Sequence, residues 1–343
     1  MKKITVATAV ALIASAQLVS AAPTDLYVGA YGGSTQKVLT EVIFPEFEKA
    51  NNVKIHYSAG KSTGTLAKLL AQESNPDLDF VIMDAGPMSQ AVTRGLCLPI
   101  DDVIAKMPLY DVADFAGGKA VGLGNVATGL TYNKDYFAKM GWAAPTSWYD
   151  LTDKKYKGKL GFQPITNSYG LLSLLALNKL EGGDVNNVDK GMNLIKKTIK
   201  NLVDNYEGSS AKLSEQFQSG EVVIAPWGSG RAYSLAKTGF NAGFVYPKEK
   251  AVALLVSMCA VKNNNSIGLT KKLIEYMLTP KVQKKLADVK AWSPLNSTVK
   301  VDPAMESFMP VGTNAPKVMA FDWAKINQKR EAWTKVWVRQ IEN

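Results

Sequence analysis

Between Leu26 and Asp84 the sequence alternates between a two-residue and a helical apolar period, and this alternation narrows the fold more than any other feature. Leu26, Val28 and Ala30 are apolar at every second position and lead into the turn GGST. Leu39, Val42, Ile43 and Phe47 then recur at helical spacing, with Pro45 placed to kink or divide the helix because it has no amide to donate. VKIHYSAG reads as a second strand, STGTLAKLLAQES as a helix and DLDFVIMD as a third strand. That order predicts an α/β fold with a parallel sheet and helices on both faces.

Ligands of such sheets sit at the carboxyl ends of the strands, where the chain turns into the helices. Here the turns are Tyr31-Gly32-Gly33-Ser34-Thr35, Gly60-Lys61-Ser62-Thr63 and Asp84-Ala85-Gly86-Pro87. Each opens a helix whose free N–H groups favour an anion. Tyr31, Ser34, Thr35, Ser62, Thr63 and Asp84 are therefore candidate ligand contacts. A second α/β unit begins near TGLTYNKDYF and runs through KLGFQPITNSYGLLSLLAL and EVVIAPWGSGRAYSLAKTG. Its apolar strands are expected to end in polar loops at 163–168 and 227–231, which adds Gln163, Thr166, Asn167, Ser168, Trp227, Ser229 and Arg231. The strand AVALLVSMCAV follows, then two helices, the second with Thr279 as cap and Pro280 at its first position. A closing amphipathic helix places Trp323, Ile326, Trp333, Trp337 and Ile341 on one side.

Catalytic motifs fail on spacing. GKS in SAGKSTGT lacks the P-loop glycine, since Ile55 stands five residues before the Gly-Lys. Asp79 and Asp84 are five apart along a strand, hence on opposite faces, which argues against a paired-carboxylate hydrolase. GSGR is not a G-x-S-x-G elbow. His56 is the only histidine, so a multi-histidine metal site is impossible and any His-based triad would depend on it alone. No catalytic residue, metal or cofactor is expected, and a secreted hydrolase is the alternative of another class.

The first residues, MKKITVATAVALIASAQLVSAAP, have the pattern of a cleaved signal peptide over 1–22. About 320 residues remain, enough for roughly two domains. The leader carries Lys2 and Lys3 and no acid, so the formal charge of +10 becomes +8 without it. The lysines are spread along helical faces, as in KKLIEYMLTPKVQKKL, which reads as a solvated surface and not a nucleic-acid footprint. Cys97 and Cys259 lie in the apolar settings RGLCLPI and LLVSMCAV. Those settings favour free, buried thiols, although an oxidising compartment permits a disulfide.

Several segments in order resemble the periplasmic solute-binding proteins of ABC importers, in the group that includes polyamine and ferric-iron binders. They are AYGGSTQKVLTEVIFPEFEKANNVKI, NPDLDFVIMDAGPMSQAVTRGLCLPID, TGLTYNKDYF, PTSWYDLTDKKYKGKLGF, FQSGEVVIAPWGSGRAY, FVYPKEKAVALLVSMCAV, WSPLN with Trp292, and FDWAKINQKREAWTKVW. The resemblance implies two doubly wound α/β lobes of the type II arrangement, joined by crossing strands, with a ligand cleft between them. Lobe one would cover 23–122 and 250–305, and lobe two 123–249 and 306–343. It further implies a periplasmic monomer that carries a small solute to an inner-membrane permease.

Trp227 matches an aromatic with which polyamine binders box their ligand. Their acidic pair falls on the stretch from Phe162 to Tyr169, which has no carboxylate, and their aromatic-x-Asp strand falls on Leu254 and Val256. The adjacent tyrosines of many ferric binders are also missing from PWGSGRAY. Hydroxyls, amides and Arg231 instead suit an anionic head group, and Asp84 could hold an amine at the other end. The expected solute is anionic or zwitterionic: an aminophosphonate, a sugar phosphate or an ω-amino acid such as 4-aminobutyrate. A polyamine or ferric iron is the alternative within the same fold.

Overall fold

The structure, a computed structural model, describes residues 22–342, so the expected signal peptide lies almost wholly outside the described residues. Strand β1 (Thr24–Tyr31) runs parallel to β2 (Val53–Gly60) along its whole length, from Thr24 opposite Val53 to Tyr31 opposite Gly60. On its other side it runs parallel to β3 (Phe80–Asp84), with Val28 opposite Phe80. The connection from β1 to β2 begins helically at Ser34–Val38, widens into a π-helical turn at Leu39–Ile43 and resumes as Phe44–Asn51. Pro45 explains the wide turn, because without an amide it cannot bond to the carbonyl four residues earlier. Leu39, Ile43, Phe44 and Phe47 remain on one buried face against the sheet.

Two long strands connect this half to the second one. Strand β4 (Val121–Asn133) and strand β7 (Ala251–Ala260) are antiparallel over Val121–Met258 to Thr128–Val252, with a register shift between Gly122 and Gly124. The far part of β7 pairs with β3, Asp84 lying opposite Val256. Beyond Thr128, β4 is flanked by β5 (Ile224–Gly228) and β6 (Ala242–Val245). A short β8 (Val318–Met319) adds to β7. The order β2-β1-β3-β7-β4-β5 makes one curled sheet, of which β4 and β7 serve both halves. Helices Ile267–Leu278 and Pro280–Lys290 follow β7, and the helix Trp323–Trp337 touches both halves, through Asn327 on the Gly86 carbonyl and Arg330 on the Ile165 and Thr166 carbonyls. Among the described residues no helix is long and apolar enough to cross a membrane.

The structure corrects two sequence expectations here. KLGF forms only a single parallel bridge, Leu160 with Ile224, made by the Gly161 amide on the Ile224 carbonyl, and Pro164 offers no amide to extend it. Cys97 and Cys259 form a disulfide and are not free thiols. The cause is strand pairing: Cys259 sits opposite Val81 in the antiparallel β3–β7 ladder, and the Leu98 amide donates to the Ala260 carbonyl at 2.9 Å. This brings the Cys97 Cα within 5.8 Å of that of Cys259. Both remain in an apolar cluster with Leu66, Met83, Met88 and Val261, so burial and bonding coexist.

Candidate functional site

The carboxyl ends of β1, β2 and β3 open onto a cavity of about 250 Å³. One wall comes from the turns after those strands: Tyr31, Thr35, Lys61, Ser62, Thr63 and Asp84. The facing wall carries Thr166, Asn167, Ser168, Tyr169, the segment from Gly208 to Ala211, and Arg231. The crossing strands supply Val126 and Val256, and the end of helix Pro280–Lys290 supplies Lys290, with Trp292 just beyond. Helices Ser62–Ala71, Ser168–Leu180, Ser210–Ser219 and Ser229–Ala236 all begin at this cavity. The positive ends of their helix dipoles bias it toward negative charge.

Asp84 joins the two walls. The Tyr31 hydroxyl donates to its Oδ1 at 2.6 Å, and the Ser168 hydroxyl donates to its Oδ2 from the opposite side. The Asp84 amide donates to Ser62 Oγ at 3.0 Å, which fixes the turn that presents the carboxylate. Burial, reinforced by Asp84, pushes the Tyr31 phenol well above its ordinary pKa, so it stays a donor. Tyr31 also meets the Trp292 ring edge-on, with centroids 6.4 Å apart.

Positive charge gathers around Ser34. Lys290 is 1% exposed, and its Nζ donates to Ser34 Oγ at 2.9 Å and to Ser234 Oγ at 2.8 Å. Arg231 Nη1 donates to the same Ser34 Oγ at 3.4 Å. Neither cation is ion-paired among the described residues. Burial, aided by the Arg231 charge, holds the Lys290 amine well below the usual lysine range. Behind the facing wall, Arg330 donates through Nη2 to the Ile165 and Thr166 carbonyls at 3.2 Å each. Burial, opposed by the charge of Asp84, brings this guanidinium down to about 10.

Of the residues singled out from sequence, Tyr31, Thr35, Ser62, Thr63, Asp84, Thr166, Asn167, Ser168, Arg231 and Trp292 line the cavity. Ser34 is not on its lining but accepts from both cations there. Three others do not line it either. Trp227 shares a pleat face with Ala225, stacks on Phe217 and donates from its indole to Ser210 Oγ at 3.2 Å. Ser229 is wholly buried and its hydroxyl accepts from the Ala127 amide, which pins the helix start to β4. Gln163 is buried, and neither polar atom of its side chain has a partner among the described residues. Lys290 escaped the sequence reading because a lysine at a helix end reads as solvated. Its spacing from Val282 and Leu286, which are buried on the same helix face, was the available signal. The loop at 208–211 and Tyr169 enter through tertiary packing. A Cβ on Gly228 would lie 2.4 Å from the Tyr169 hydroxyl, so the glycine makes room for that ring.

The family model described as bacterial extracellular solute-binding protein matches residues 43–320. The spermidine/putrescine-binding periplasmic protein of Escherichia coli (strain K12) is 23% identical over 267 residues, covering 72% of this chain and 71% of its own. Among solved structures, the periplasmic binding protein AfuA from Actinobacillus pleuropneumoniae, with exogenous fructose-6-phosphate bound, matches with a TM-score of 0.78 at 20% identity. That match covers 93% of this chain and 98% of AfuA. The binding protein AgtB from A. tumefaciens R10, in complex with agropinic acid, matches with a TM-score of 0.78 at 23% identity, covering 93% and 99%. The likeness to these structures places the curled sheet and its two halves in the type II periplasmic binding protein fold. With the family model covering most of its length, the chain belongs to the bacterial extracellular solute-binding protein family.

Proposed function

We propose that the chain works in the periplasm, captures a small anionic or zwitterionic organic solute between its two halves, and delivers it to the permease of an ABC importer. The observation that carries the anionic reading is the pair Lys290 and Arg231, gathered on one hydroxyl with no ion-paired carboxylate among the described residues. Lys290 is buried, a buried charge without a counterion is costly, and an incoming anion removes that cost. At the other end Asp84 accepts two protein hydroxyls, while an ionised carboxylate offers about four acceptor positions, so it can still meet an amine. A diamine would place one ammonium against the two cations, which opposes putrescine despite the name of the Escherichia coli relative. The fructose-6-phosphate of AfuA and the agropinic acid of AgtB favour an acidic solute.

Thermal-shift and calorimetric titration of the mature chain with 2-aminoethylphosphonate, fructose-6-phosphate, 4-aminobutyrate and putrescine test the proposal. A bound anion present at about a hundred times its dissociation constant should stabilise the protein by about 2.7 kcal/mol. Tight putrescine binding with none of the three acidic solutes bound would overturn it.

A further inference from the structure

We infer that the cationic end of the cavity is built for a doubly ionised phosphate or phosphonate, and that Lys290 is the residue by which the site separates such a group from a singly charged carboxylate or sulfonate. The inference rests on the solute-binding reading above. Lys290 commits two of its three ammonium hydrogens to the neutral hydroxyls of Ser34 and Ser234. Arg231, from the neighbouring helix, reaches the same Ser34 hydroxyl, so two positive groups converge on one oxygen. Among the described residues no acid is ion-paired with either cation. Asp288, on the lysine's own helix, is paired with Lys284. Asp84, which lines the same cavity, accepts from Tyr31 and Ser168. The remaining cation on the lining, Lys61, packs its Nζ against Gly208 and adds to the positive field. A singly charged head group can balance one of the two convergent cations, whereas a doubly charged one balances both. The depressed pKa of Lys290 has the same origin, since burial beside Arg231 penalises its charged form until an anion arrives.

Calorimetry at about pH 8, above the second ionisation of phosphate, provides the test through matched solutes. One pair is 2-aminoethylphosphonate against taurine, and the other is fructose-6-phosphate against fructose-6-sulfate. Inorganic phosphate alone distinguishes the free ion from phosphonate and ester. Within whichever pair binds, the dianion should bind at least about tenfold more tightly than its monoanionic partner, and K290M should bring that ratio down to within about threefold. Equal binding of the two partners by the wild-type chain, or an undiminished ratio in a folded K290M, overturns the role of Lys290 and leaves the solute-binding reading standing. If no anion binds, that reading falls and this inference with it. Should K290M fail to fold, the wild-type ratio decides.

Discussion

Removing the Cys97–Cys259 disulfide by the double replacement C97A/C259A should cost this protein a large part of its stability. The bridge spans a sequence separation of 162 residues. In the chain-entropy account, a closed loop of that size removes about 17 cal/mol/K from the unfolded ensemble, or about 5 kcal/mol at 25 °C. The two sulfurs also fill part of the cluster with Leu66, Met83 and Met88, so the alanines add a packing loss of about 1 kcal/mol. Urea unfolding of the mature chain, with and without reductant, reads the effect. We expect the wild-type midpoint to fall in dithiothreitol toward that of the double variant, while the variant ignores the reductant. The variant should also show a larger dependence on urea, because its unfolded chain is more expanded. A double variant within about 1 kcal/mol of wild type would refute the reasoning, since it would mean the unfolded chain is barely constrained by the bridge.

Other perturbations address the cavity and its supports. Because the folded-state pKa of Lys290 is depressed, the unfolded chain binds the extra proton between that value and the ordinary lysine value. Stability from this residue is therefore least below the folded pKa and rises with pH through that interval. K290M, free of solute, should be more stable than wild type at neutral pH and should lose this alkaline rise, as read from urea midpoints at pH 7 to 10; identical pH curves would refute it. A Cβ on Gly86 would lie 2.4 Å from the Trp323 ring, so G86A should push the closing helix off its seat and cost about 1–3 kcal/mol. An unchanged melting temperature and near-ultraviolet tryptophan signal would count against that contact. R330M should release the carbonyls of Ile165 and Thr166, lowering stability by about 2–4 kcal/mol and weakening solute binding. Wild-type affinity and stability in R330M would show that the loop needs no such support.

The first half of the fold was open to a reader of the sequence because its determinants are local. Leu26, Val28 and Ala30 alternate within one strand, and the glycines of the GGST turn follow directly, so each element announces itself. Turn residues at strand ends also announced most of one cavity wall, from Tyr31 to Asp84. What escaped depends on which face of an element turns inward once distant segments meet. Trp227 and Arg231 come from one short stretch, yet β5 turns the tryptophan onto Phe217 while the following helix offers the arginine to the cavity. Lys290 and Arg330 were hidden by composition, since long basic side chains on helices are ordinarily solvated. The disulfide was hidden by the apolar surroundings of its cysteines, which a buried thiol and a buried bridge share.

The two ends of the cavity differ in how freely they could be rebuilt over time. At Asp84 the protein already supplies stand-ins for a solute, the hydroxyls of Tyr31 and Ser168. A newcomer there exchanges one donor for another, and substitutions at that end should pass with little disturbance to the empty protein. The end at Lys290 has only the neutral hydroxyls of Ser34 and Ser234 as stand-ins, which meet its hydrogen bonds but do not balance its charge as an acidic cargo would. Descendants of this chain should therefore diversify in what they accept beside Asp84 while remaining tied to an acidic group, until the lysine itself is lost.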